Sequence, residues 1–319
     1  MKIGLITPGG DAPGMNAAIR SVVRVGSICG FEITGIRLGF SGLLNEDFIS
    51  LDRRSVGGII NIGGTILKSS RCDEIRTPKG VKKAAKILTQ HLFDYLVIIG
   101  GDGTFNAGCK ISKASGVPVI GIPATIDNDI FGTDETVGFD TAIDTAIEAI
   151  DKIRDTATSF ERVFIVEVMG REHGFLAVNI AIASGAEFVL IPEIKYNLNE
   201  IAGKIKKMKQ AGKKSLIIIF AEGAGNSAEA AKILEFKTGF PVRVSNLGYI
   251  QRGGSPSARS RILGTQFGSY AVDLIRKKAK NRAVVIRNCA INDIDIERVI
   301  SNNKKVDRHL LDILEKVAI

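Results

Sequence analysis

Apolar residues along this chain fall into short unbroken runs, separated by longer stretches with a helical repeat. The runs KIGLIT, FEITGIRL, YLVIIGG, VPVIGIP, RVFIVEVM, EFVLIPE, SLIIIFAE and RAVVIRN are continuous rather than alternating. Continuous apolar runs of this length predict parallel strands covered on both faces. Between them lie segments such as FDTAIDTAIEAIDKIRDT, where Ile143, Ile147, Ile150 and Ile153 line one helical face and Asp140 and Asp144 another. Strand and helix in alternation predict an α/β chain of doubly wound, Rossmann-like lobes with mostly parallel sheets.

The length of 319 residues predicts roughly two domains. No low-complexity segment or linker separates them, so the crossings are placed at the Gly-rich stretches near Gly138 and Gly253–Gly254. A chain that crosses twice returns its C-terminal part to the first lobe. The expected division is a larger lobe of residues 1–138 with 251–303 and a smaller lobe of residues 139–250 with 304–319.

Composition removes several classes of protein. Cys29, Cys72, Cys109 and Cys289 form no CxxC pair and match no zinc spacing, which predicts a reducing compartment. MKIGLITPGG is interrupted too early for a secretory signal, and no apolar run approaches the roughly 20 residues that span a bilayer. A soluble cytoplasmic protein is expected, with no membrane partner. The net charge of +9 raises the question of nucleic acid. The Lys/Arg clusters, Lys204 to Lys214 and Arg276 to Lys280, fall in helix-like segments without interleaved aromatic stacking residues. Anionic small ligands explain the charge better, and no nucleic-acid partner is expected. His91, His173 and His309 are scattered and GxSxG is absent, which argues against a zinc centre and a Ser–His–Asp triad.

Three strand ends open into loops with chemistry in them. TPGGDAPGMNAAIR leads from a strand through glycines into a helix near Met15, where free N–H groups favour an anion. Its spacing is neither GxGxxG nor a Walker loop, a tight turn is the plainer alternative, and Asp11 is out of place beside a phosphate. VIIGGDGTFNAG repeats the pattern: Gly100, Gly101 and Gly103 allow close backbone approach, and Asp102 suits Mg²⁺ through water or a helix cap. PATIDNDI crowds Asp127 and Asp129 together with no cation in the octet. One carboxylate can take a proton from an attacking alcohol while the other orders a cation's waters, the alternative being an Asx-type turn. Arg71, Arg76, Arg162, Arg171, Arg243 and Arg252 sit near strand ends or glycines, and guanidinium forks suit phosphate oxygens.

GGDAPGMNAAIR, GGDGT, PATIDNDI, GTDETVGFDTA, VEVMGR and LGYIQRGGSP occur in that order, and the resemblance they carry extends over essentially all 319 residues. Together they resemble the bacterial ATP-dependent 6-phosphofructokinase family. The resemblance implies transfer of the ATP γ-phosphoryl to O1 of fructose 6-phosphate in a homotetramer. It implies that Gly10, Arg71, Cys72, Gly101, Asp102, Gly103 and Thr104 hold ATP, which makes the larger lobe the nucleotide lobe. Asp102 and Asp129 would serve Mg²⁺. Asp127 would be the general base, with Thr125 and Ile126 beside it. Met169, Gly170, Arg171 and Glu222 would hold the sugar in the smaller lobe, Arg171 also facing the charge on the transferring group. Arg162 and Arg243 would reach the 6-phosphate from a neighbouring subunit, with Tyr249 and Arg252 nearby. An effector site for ADP or phosphoenolpyruvate would use Arg20, Arg24, Arg53, Arg154, Lys213 and Lys214. Gly185 and Glu187 would form its metal–nucleotide part, with Ala211 and Ser215 adjoining.

The chain departs from that family pattern in places. Tyr249 stands where the family usually has His, and a phenol bonds phosphate without positive charge. Gly58 and Ala211 replace polar residues of the effector pocket. Ala124 stands where ATP-using members usually have Gly. Pyrophosphate-using relatives carry Lys there and Asp where this chain has Gly103, so two small uncharged residues favour ATP. A pyrophosphate donor and a catalytically inactive nucleotide sensor are the rival readings.

Overall fold

The computed structural model describes residues 1–317 as an α/β protein of eleven strands. In chain order they are β1 (Lys2–Ile6), β2 (Glu32–Ile36), β3 (Phe48–Leu51), β4 (Tyr95–Gly100), β5 (Val119–Pro123), β6 (Val163–Val168), β7 (Phe188–Leu190), β8 (Leu216–Ala221), β9 (Val242–Asn246), β10 (Arg282–Arg287) and β11 (Ala290–Asp295). The chain forms two compact units: Met1–Thr141 with Arg252–Lys304, and Ala142–Gln251 with the residues from Lys305 onward.

The first unit is built on a seven-stranded sheet in the order β11-β10-β5-β4-β1-β2-β3. Its five inner strands are parallel, and the edge strands β3 and β11 are antiparallel to their neighbours. Every residue of β4 is buried, as expected for a strand covered on both faces. On one face the helices Met15–Ile28 and Ala258–Arg276 meet at very short range. A Cβ at Gly264 would lie 2.8 Å from the Gly14 carbonyl oxygen, and one at Gly268 would lie 2.6 Å from that of Ala18. Only glycine permits that approach. From β1 the chain runs to β2 and β3 on one side, then reappears as β4 on the other. The switch point of the sheet therefore lies between β1 and β4, and loops at the C-terminal ends flanking a switch point form a ligand crevice.

The second unit is a four-stranded parallel sheet, β7-β8-β6-β9, with β8 wholly buried. Here the chain leaves β6 for β7 and β8 on one side and returns as β9 on the other. The second switch point is between β6 and β9.

The predicted parallel runs all form strands. Three strands outside that set, β3, β9 and β11, lie at sheet edges and lack continuous apolar runs; in β9 only Val242 is fully buried. The helix Phe139–Ser159 also differs in detail. Its fully buried row is Ala142, Ala146, Ile150 and Ala157, whereas Ile143, Ile147 and Ile153 are half-buried. Small alanine side chains seat the helix closely, so the isoleucine row comes to lie at the margin of the contact.

Candidate active site

In the first unit three loops converge at the C-terminal ends of β1, β4 and β5. The Thr104 hydroxyl donates to the Pro8 carbonyl at 3.0 Å, tying the β4 loop to the β1 loop. Gly100 cannot be larger, because a Cβ there would fall 2.4 Å from the Thr104 hydroxyl and 2.9 Å from the Pro8 carbonyl. Ala124 N–H in turn donates to the Gly100 carbonyl at 3.0 Å, and Gly101 faces Thr125. Gly101 is the N-cap of the helix Asp102–Ser115, so its first amides point out of the loop. A Cβ at Gly103 would meet nothing within 4 Å. First-turn amides beside open space at a helix start suit a phosphate chain. Ser69 Oγ donates to the Gly9 carbonyl at 2.5 Å and Ser70 Oγ to that of Leu38 at 2.7 Å. These two hydroxyls dock the segment bearing Arg71, which is exposed, and Cys72, which packs on the core.

The turn after β5 is organised by side chains other than its carboxylates. Thr125 Oγ1 accepts from Asp127 N–H at 3.2 Å, and Thr136 Oγ1 donates to the Thr125 carbonyl at 2.6 Å. Asn128 takes the left-handed conformation, φ +51°, and its Nδ2 donates to the Asp134 carbonyl at 3.0 Å. This places the Asp127 side chain in a buried position, 4% exposed, and leaves Asp129 Oδ1 buried with no donor among the described residues. Ile126 is buried, so it offers a ligand only backbone. Lys304 lies beside this turn and donates to the Asp134 carbonyl at 3.1 Å. Burial pulls its ammonium down to about 8, opposed by Asp134, Asp129 and Glu135.

Among the described residues no cluster of three or more His, Cys, Asp or Glu side chains could cage a metal. Mg²⁺ does not need a cage, because it keeps waters and is held by one or two carboxylates plus phosphate oxygens. The orphaned buried oxygen of Asp129 fits that role. Asp102, exposed in the first helical turn with Oδ2 accepting from Asn106 Nδ2 at 3.0 Å, fits it too.

In the second unit Met169, Gly170 and Arg171 follow β6, Glu222 follows β8, and Tyr249 lies in the single helical turn Gly248–Arg252 after β9. Glu222 Oε1 accepts from Arg171 N–H at 2.7 Å, which brings the ends of β6 and β8 together. Tyr249 is exposed. Arg162 and Arg243 do not join this group. Arg162 stands just before β6, its guanidinium 4.3 Å over the Phe160 ring, and Arg243 pairs in register with Phe164 near the start of β6. They occupy the opposite, N-terminal end of the strands, about 20 Å from the Met169 turn along six residues of strand.

The expected effector residues of this unit lie at that same end of the strands. Arg154 Nη2 donates to the carbonyls of Ser184 at 2.7 Å and Gly185 at 3.3 Å. Glu187, its side chain 2% exposed, pairs with Lys213 at 2.8 Å and accepts from Ile217 N–H at 2.6 Å. Both of its oxygens are thus engaged within the protein. Lys214 pairs with Glu161 at 3.2 Å, Ser215 meets the Thr158 hydroxyl at 3.2 Å, and Ala211 caps the helix Leu198–Gln210. Arg20, Arg24 and Arg53 belong to the first unit. Arg24 Nε is buried without a partner among the described residues, and Arg53 is exposed. Residue types alone did not disclose three features: the Arg252–Asp11 contact at 3.1 Å, the two docking serines, and Gln251, which accepts from Met169 N–H at 2.9 Å. Arg252 accounts for the misplaced acid of the first loop.

The pattern of the family described as phosphofructokinase matches residues 2–275. The chain is 49% identical, over 96% of its own length and 96% of the relative's, to an ATP-dependent 6-phosphofructokinase of Halothermothrix orenii. It is 47% identical to that of Clostridioides difficile over 99% of both chains. Among solved structures it resembles Pichia pastoris phosphofructokinase in the T-state, with a TM-score of 0.87 and 32% identity. That match takes in 94% of this chain and 35% of the longer Pichia chain. With its glycine loops, its PATIDNDI turn and near-half identity to full-length relatives, the chain belongs to the phosphofructokinase family.

Proposed function

We propose that this protein is a glycolytic ATP-dependent 6-phosphofructokinase, acting in the cytoplasm. The observation that carries the choice of donor is Gly103, whose position in the first turn of the helix Asp102–Ser115 leaves open space where any side chain would stand. Ala124, fully buried and uncharged, agrees with it.

The chemistry follows from positioning and charge. The helix amides at Gly101–Thr104, with Gly10, Arg71 and Cys72, hold the nucleotide. Asp102 and Asp129 would hold Mg²⁺, which would supply positive charge to offset that of the phosphates. Asp127 accepts the proton of the sugar O1 hydroxyl as that oxygen bonds to the γ-phosphorus and the bond to the β-phosphate oxygen breaks. Thr125 and Ile126 support the turn. Met169, Gly170 and Glu222 orient the sugar, and Arg171 balances charge on the transferring group. Tyr249 and Arg252 take the 6-phosphate. Arg162 and Arg243 complete it from a neighbouring copy in a homotetramer, a role supported by their lying about 20 Å from the Met169 turn of their own chain. The basic residues Arg20, Arg24, Arg53, Arg154, Lys213 and Lys214, with Gly185, Glu187, Ala211 and Ser215, form an effector site for ADP or phosphoenolpyruvate.

Steady-state kinetics with each donor, on the wild type and Asp127→Ser, test the reading. ATP should support bisphosphate formation and pyrophosphate should not. Asp127→Ser should lower kcat by roughly a hundred- to ten-thousand-fold while ATP binding is retained. Turnover with pyrophosphate alone overturns the donor, and undiminished kcat in the variant overturns the base.

A further inference from the structure

The Met169–Arg171 turn is held in a conformation that it would not keep unaided. Gly170 has φ +131° and Arg171 φ +53°. A side-chain-bearing residue in the left-handed region persists where surrounding groups over-determine it. Two side chains do so from opposite sides. Glu222 Oε1 accepts from the Arg171 amide at 2.7 Å, and Gln251 Oε1 accepts from the Met169 amide at 2.9 Å.

Gln251 is the less expected of the two. It is 0% exposed, and its Nε2 is buried without an acceptor among the described residues. Leaving an amide donor dry and unpaired costs stability that a methionine or leucine of similar size would avoid. Packing alone therefore does not account for a glutamine here. Its backbone belongs to the turn Gly248–Arg252, the same turn that presents Tyr249. That turn is clamped to β6 just upstream. Glu167 and Asn246 are register partners, Leu247 N–H donates to the Glu167 carbonyl at 3.0 Å, and the Glu167 carboxylate accepts from Asn246 Nδ2 at 2.6 Å and from the Ser227 hydroxyl. The Gln251 amide continues the clamp from the loop after β9 to the loop after β6.

We propose that Gln251 is a positioning residue for the sugar phosphate. Its amide oxygen sets the Met169 backbone and, with Glu222, fixes the Met169–Arg171 turn. It also couples that turn to the segment bearing Tyr249. Gln251 does not touch reacting atoms. The inference rests on the reading that this turn binds the sugar.

The test uses the full-length enzyme with ATP and fructose 6-phosphate. Gln251→Met keeps length and removes the acceptor; Gln251→Asn keeps an amide but withdraws it beyond reach. Both should raise the sugar-phosphate KM about tenfold, with kcat within about threefold and the ATP KM unchanged. Amide hydrogen exchange at Met169 should quicken in the unliganded variants. A purely structural glutamine would instead lower thermal stability and shift kcat and both KM values together. Glu222→Ala serves as the reference. If it raises the sugar KM while both Gln251 variants leave it and the Met169 exchange unchanged, the role of Gln251 is overturned and the sugar site stands. If none of the three moves the sugar KM, the placement of the sugar falls and the role of Gln251 with it.

Discussion

Arg252 Nη2 lies 3.1 Å from Asp11 Oδ1, an ion pair between residues 241 positions apart. It explains an acid in a glycine-rich loop otherwise suited to anions, since Asp11 aims a guanidinium. The pair sits directly over Gly10, where a Cβ would come 2.5 Å from the same Nη2 atom.

Gly10→Ala should therefore act on function and hardly on folding. Gly10 does not need a positive φ, and the obstructed atom is the far end of a flexible side chain. Stability should stay within about 0.5 kcal/mol of wild type by urea denaturation. Displacing Arg252 should lower kcat/KM for fructose 6-phosphate about tenfold, a loss near 1.4 kcal/mol.

Gly103→Asp separates fit from charge. The side chain has room, and an acidic residue in the first turn of a helix is tolerated or mildly favoured. The variant should melt within a few degrees of wild type yet bind ATP at least tenfold more weakly, because the carboxylate repels the phosphates. Calorimetric titration with ATP measures this directly.

Lys213→Met should destabilise the second unit. It removes the cation beside Glu187, whose carboxylate is buried and retains only the Ile217 amide. A stranded buried charge costs more than an exposed pair contributes; with Lys213 itself 38% exposed, the loss should be about 1–2 kcal/mol. Adding Glu187→Gln should recover most of it, which a double-mutant cycle in urea would reveal.

Lys304 gives a pH signature. Burial lowers it from 10.5 to about 8, so between those values the unfolded chain binds a proton that the folded chain lacks. The contribution of this group to stability thus rises with pH across the window, and its full cost is felt below about pH 8. At pH 7 Lys304→Met should be more stable than wild type by about 1 kcal/mol, after allowing for solvent screening and the lost bond to the Asp134 carbonyl. The difference should vanish towards pH 10.5, as melting temperatures of the two proteins would record.

Much of this architecture was legible as a one-dimensional pattern. Strands buried on both faces need continuous apolar runs, so β4 and β8 could hardly be missed, whereas β9 and β11 at sheet edges keep polar residues and left no such signal. Glycines at strand ends marked the loops, and the paired carboxylates of PATIDNDI marked the chemistry. The sequence by itself thus determined the fold class and the kinds of groups available, because burial and backbone freedom impose local composition. Only the tertiary structure decided which groups meet. That Gln251 grips Met169, that Asp11 holds Arg252, and that Arg162 and Arg243 stand at the far end of the strands from Glu222 all depend on strand order and register. Those are settled by long-range pairing, which leaves no periodic trace along the chain.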